Sequence, residues 1–145
     1  MKIKKMGSVI VLVMLLTLLA GCGQKVKLNE GEVRAYSDNI IENILTSANK
    51  DDYASYSKDF GSKMKEAVNE NNFKQQNKTI KDKIGNYETK EFVKLQSKGE
   101  YIIVIYKAKY SNEPKDVMVT ITFKNGDEAH KVEGLLMTSP KLASK

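Results

Sequence analysis

Two hydrophobic periods divide the chain, a helical one ahead of Gly85 and a two-residue one from Tyr87 onward. Val33, Tyr36, Ile40, Ile41, Ile44, Leu45 and Ala48 recur at helical spacing and predict one long amphipathic helix. Asn29 followed by Glu32 has the spacing of a capping box, which satisfies two otherwise unpaired backbone N–H groups and opens that helix. Asn49-Lys50-Asp51-Asp52 breaks the stripe and recaps the chain. Tyr53, Tyr56 and Phe60 then predict a short helix ending near Gly61, and Ser62 caps a third segment carrying Met64, Ala67 and Val68. Asn72 with Gln75 has the spacing of another capping box. A fourth helix follows, with Phe73, Ile80 and Ile84 on its buried side and Gly85 as its stop.

Beyond Tyr87, residues 92–96 read as a strand and Lys98-Gly99 as the turn after it. Tyr-Ile-Ile-Val-Ile-Tyr-Lys-Ala-Lys-Tyr, residues 101–110, begins apolar on both faces, as a central strand does. Ser111-Asn112-Glu113-Pro114 makes the next connection. Val117, Val119, Ile121 and Phe123 alternate with Met118, Thr120 and Thr122, the pattern of a strand with one buried face. Asn125-Gly126 is the strongest short-range hairpin signal in the chain, and a last strand is expected from about His130 to Met137. Helices first and a four-stranded antiparallel meander second predict an α+β domain.

The first residues follow neither period. Lys2, Lys4 and Lys5 form a positive head, and residues 9–20 form an apolar run twelve residues long. As a helix that run reaches only about 18 Å, against about 30 Å for a bilayer core, so it suits the apolar stretch of a secretory signal. Leu19-Ala20-Gly21-Cys22 closes it and resembles the bacterial lipobox. The resemblance implies cleavage between Gly21 and Cys22, with a diacylglyceryl group on the Cys22 thiol. Two acyl chains suffice for stable anchoring. The expected organisation is therefore a lipoprotein signal over 1–21, a lipidated tether over 22–30 and one domain over 31–145. The protein is expected outside the cytoplasm, held to the cell membrane.

Export changes how the composition is read. The three lysines of the positive head account for half of the net charge of +6, leaving +3 on 124 residues after cleavage. That mild charge and an extracytoplasmic address argue against nucleic acid as a partner. Lys25 and Lys27 in the tether either meet anionic headgroups or keep the linker soluble. With Cys22 acylated, no thiol is left for a disulfide or a nucleophile.

Little of the remaining sequence suggests catalysis. His130 is the only histidine, expected as a solvent-facing strand residue rather than a base, and one histidine cannot build a zinc site. No Gly-rich phosphate loop and no EF-hand spacing is found, so neither metal nor cofactor is expected. Lys74, Lys78 and Lys81 line one helix face, either as a solvated surface or as an anion-binding stripe.

Several of these residues carry a family resemblance. Residues 40–60 (Ile-Ile-Glu-Asn-Ile-Leu, Asp-Asp-Tyr, Phe), Gly85-Asn86-Tyr87 with Phe92, Tyr106-Lys107-Ala108-Lys109-Tyr110 and Gly134-Leu135 with Ser139-Pro140 resemble a bacterial and archaeal domain of unknown function, the one numbered 3887. That domain lies in the nuclear-transport-factor-2-like (cystatin-like) superfamily. The resemblance spans about Glu32 to Leu142. It implies a curved antiparallel sheet wrapped by N-terminal helices, often around a conical pocket, and it brings no catalytic constellation.

The functional expectation is a small-ligand or protein-binding module at the cell envelope, taking an apolar or amphipathic ligand or an envelope protein. Tyr36, Tyr53, Tyr56, Tyr106 and Tyr110 are the candidate pocket lining. One alternative is a cofactor-free acid–base enzyme, since a superfamily relative, ketosteroid isomerase, pairs an Asp base with a Tyr-containing oxyanion hole. Asp59 and Glu91 are the carboxylates considered for that role. The other alternative is an interaction protein that forms a homodimer through the open sheet face.

Overall fold

The computed structural model describes residues 27–145; the signal segment, Gly21, Cys22 and Lys25 lie outside them. Helix α1 (Glu30–Asn49) opens on Asn29, whose side-chain oxygen accepts the Glu32 N–H at 3.3 Å. The expected reciprocal bond differs, because Glu32 accepts from the Asn29 side-chain amide rather than from its backbone. α1 ends at Asn49, Asp51 two residues on sits in the left-handed region (φ 56°), and Asp52 then caps α2 (Tyr53–Tyr56). That single turn is shorter than expected. Phe60 leaves it to form an isolated parallel bridge with Val132.

Gly61, not Ser62, is the cap of α3 (Ser62–Ala67), and it makes no side-chain capping bond. α4 (Glu70–Ile84) starts earlier than the Asn72–Gln75 spacing predicts. Asn69 caps it by accepting the Asn72 N–H at 3.1 Å, while Asn72 turns its own amide back to the Ala67 carbonyl. At the other end Gly85 adopts φ 78°, and a Cβ there would collide with the Ser111 hydroxyl. Only glycine fits that crossing.

The sheet is a meander, β1 (Tyr87–Lys98), β2 (Tyr101–Tyr110), β3 (Glu113–Lys124) and β4 (Val132–Thr138), antiparallel throughout and in chain order. α5 (Pro140–Ala143) caps the C-terminal end. One sheet face is covered by the helices. Ile41, Ile44 and Leu45 of α1 join Val104, Tyr106, Val117, Val119, Ile121 and Phe123 in a core with almost no solvent contact. The other face is open, so Ile103 and Ile105 of central β2 are half-buried rather than enclosed. The outcome is the expected α+β arrangement of helices preceding an open four-stranded antiparallel sheet.

The start of β4 departs from expectation. The Asp127 carboxylate accepts the backbone N–H groups of Ala129 and Lys131, and its carbonyl accepts that of His130. These three bonds wind residues 127–130 into a turn and force His130 to φ 47°. His130 is therefore not a strand residue, and β4 begins at Val132.

Candidate functional site

The five candidate tyrosines are distributed over the fold. Tyr56 and Tyr110 meet beneath α4, where they line a cavity of about 30 Å³ with Phe73, Ile80 and Met137. That is room for about one or two waters, so this interior is filled by its own side chains. Burial first, then the neighbouring Tyr53, pushes the Tyr56 hydroxyl up to about 12. Tyr110 is also raised, by burial and then by Tyr56, which leaves both phenols neutral at ordinary pH. Tyr53 donates to the Val68 carbonyl at 2.9 Å and ties α2 to the end of α3.

Tyr106 has a different role. It is fully buried, with its hydroxyl 2.8 Å from the Ser37 hydroxyl and donating to the Asp38 carboxylate at 2.7 Å. Burial is the main cause of its raised pKa; the Ser37 bond works against it and Asp38 adds to it. One turn on, the Tyr87 hydroxyl donates to Glu42 at 2.8 Å, and Lys90 pairs with the same carboxylate. Arg34 lies over the Phe92 ring, 4.5 Å from its centre. The acid–base pairs are thus Asp38–Tyr106 and Glu42–Tyr87, which the sequence pattern did not single out. Both carboxylates fall on the polar side of the α1 stripe, and only the three-dimensional crossing of α1 over β1 and β2 brings them to the rings. Neither pair lines the cavity beneath α4, the recess along β4 or the cavity beside Tyr36. The carboxylates considered earlier lie elsewhere: Glu91 pairs with Lys107 on the open sheet face, and the Asp59 carbonyl accepts from Val132.

Tyr36 stands at the opposite end of the core. It stacks face to face on His130, with ring centres 3.8 Å apart, beside an open cavity of about 480 Å³ that Val33, Ile102 and Asp127 also line. The lysine stripe of α4 is neutralised in place. Lys74 pairs with Glu70, Lys78 with Asp82, and Lys81 with Asp51 and the Asn49 carbonyl. No cluster of potential metal ligands occurs among the described residues.

An open recess of about 500 Å³ runs as a groove along β4. Leu135 and Met137 form its floor, Met64 of α3, Val68 just after it and Ile80 of α4 its wall, and Leu142 of α5 its end. Gln75, Gln76 and Thr79 form a polar lip on the exposed side of α4. Tyr56 is the one tyrosine of the five that reaches it. Leu136, 60% exposed, stands on the rim, and Val93 and Tyr101 (43% and 40%) are exposed elsewhere on the sheet. Sequence spacing marks Met64, Val68 and Ile80 as core. The groove exists because α3 and α4 stop short of covering β4.

Fold and groove together define an α+β domain with a filled interior and a lateral, open apolar recess. The chain belongs to the family described as "Protein of unknown function (DUF3887)", which matches residues 37–135, more than half of its length. The match covers the floor of the groove as far as Leu135 and all of α3 and α4. No curated protein and no solved structure matches the chain.

Proposed function

We propose that this protein is a lipid-anchored extracytoplasmic binding module, and that it binds its partner in the groove along β4. The observation that carries the reading is the groove itself, about 500 Å³ of open, mainly apolar space beside an interior with room for little more than a water. An exposed recess of this size and lining is the usual form of a binding site. The anchor is supported by the short apolar run ending in Leu19-Ala20-Gly21-Cys22. The order of helices before a four-stranded meander also supports the wider assignment to the nuclear-transport-factor-2-like superfamily. Acid–base catalysis is the weaker reading, since the paired carboxylates and phenols line neither the groove along β4 nor the cavities beneath α4 and beside Tyr36.

Two experiments test the two halves of the reading. The full chain expressed in a bacterial host is fractionated and its intact mass measured, alongside Cys22→Ser. The expected outcome is membrane-bound protein starting at Cys22 and carrying a diacylglyceryl group, with Cys22→Ser losing both; an unmodified soluble chain would overturn the anchor. The amphipathic, anionic fluorescent dye anilinonaphthalene sulfonate is then titrated into the full chain and into Thr79→Trp, which fills the groove from the exposed lip. Equal dye binding by both would remove the groove as the site.

A further inference from the structure

The two edges of the sheet are built in different ways. β1 carries Glu88, Lys90, Glu91, Lys94 and Lys98 and two register shifts. Charges and bulges of this kind keep an edge strand from pairing with another chain. β4 carries a single charge, Glu133, next to its one register shift. From Leu135 to Thr138 it reads Leu-Leu-Met-Thr, uncharged, without proline and in regular register with β3.

The free side of β4 is already used at its first residue. Val132 donates to the Asp59 carbonyl and accepts the Gly61 N–H, each at 2.9 Å, in the parallel bridge centred on Phe60. The chain then turns off into α3. Among the described residues, no group outside the sheet hydrogen-bonds the main chain of residues 135–138. The apolar groove runs along this same stretch. An acyl chain lying there would cover the free N–H and C=O groups of β4 without pairing them, which is unfavourable. An extended peptide would pair them and fill the groove together. The alternating partial charges of the edge, and the lack of formal charge from Leu135 onward, select for an uncharged strand.

We propose that β4 is a strand-addition site, at which an uncharged extended segment of a partner protein docks beside residues 135–138 as a fifth strand. It continues the row begun at Phe60, and its alternate side chains enter the groove between Met64, Val68, Ile80 and Met137. Main-chain bonds supply affinity in this mode and the pockets for alternate side chains supply specificity. The four open residues span about 13 Å, so the recognised core is four to six residues long. The inference rests on the groove being the binding site and goes further by naming its ligand class.

The test uses the full chain in detergent micelles and a phage-displayed library of random nine-residue peptides. The most enriched peptide is synthesised unmodified and in two forms N-methylated at alternate residues, one for each phase of the strand. Enriched sequences are expected to be uncharged and alternately apolar. N-methylation in one phase should weaken binding at least tenfold and in the other phase should leave it almost unchanged. Thr79→Trp should also weaken it at least tenfold, with Gln76→Trp as a second block on the same exposed lip. Equal affinity of all three peptides would overturn strand pairing. Dye binding that Thr79→Trp abolishes, with no peptide enriched, would keep the groove as a site and overturn the peptide. An unaltered chain that binds no dye and enriches no peptide would overturn both readings. A dimer that Thr79→Trp dissociates would make the occupant a second copy and overturn the partner segment.

Discussion

At the scale of single residues, Tyr106 shows how a buried polar group is made tolerable. Its ring lies in the core while its hydroxyl joins Ser37 and Asp38, so the phenol works as a clamp between β2 and α1. Tyr106→Phe leaves the Ser37 hydroxyl buried without that partner and should cost about 1–3 kcal/mol, read as a lower urea midpoint. An unchanged midpoint would mean the clamp carries no net stability. Asp51 behaves differently because it is exposed. Hydrogen bonding to Lys81 holds its carboxyl below the ordinary range; burial opposes this, and the Asn77 hydrogen bond and the Lys81 charge add to the lowering. A carboxylate lowered in the folded state contributes stability above its unfolded value, and that contribution disappears as pH falls through the folded value. Asp51→Asn should therefore flatten the loss of stability below about pH 4, in urea titrations compared with the unaltered chain. An identical acid slope would contradict that role.

At the scale of elements, the sequence read best where one period runs uninterrupted. The α1 stripe, the Asp52 recap, the Gly85 stop and the alternation of β3 are each set by local chemistry and recur in the structure. Misreadings fall where side chains compete for the backbone. Three asparagines, Asn69, Asn71 and Asn72, crowd the start of α4, and the cap goes to the earliest. Asn69→Ala should then destabilise the protein by about 1 kcal/mol, while Gln75→Ala, at the position the spacing favoured, should leave the urea midpoint nearly unchanged; the reverse order would contradict the assignment. His130 was misread for the same kind of reason. Asp127 satisfies three successive backbone donors through its side chain and carbonyl, and a turn replaces the first residues of the strand.

At the scale of the whole molecule, the candidate site was less legible than the fold. Tyrosine spacing reports burial but not which rings share a space, so Tyr36, Tyr56 and Tyr106 separate to three parts of the protein. Met64, Val68 and Ile80 look like ordinary core positions in sequence. Met64 is in fact buried, and the partial exposure of Val68 and Ile80 follows from the distance at which α3 and α4 pass β4, a property of packing that no local pattern records. The contrast between the edges was readable in principle: β1 carries five charges and residues 135–138 carry none. Its meaning depends on knowing that both strands are edges, which only the order β1-β2-β3-β4 supplies.

Amide hydrogen exchange, read residue by residue on the full chain with and without the enriched peptide, tests the central claim most directly. The account predicts that peptide slows exchange at the free-side amides within residues 135–138, which exchange quickly in the protein alone, and leaves the amides of β1 unchanged. Slowing confined to β1 or to the Tyr36–His130 cavity, or no slowing at any amide, would contradict it.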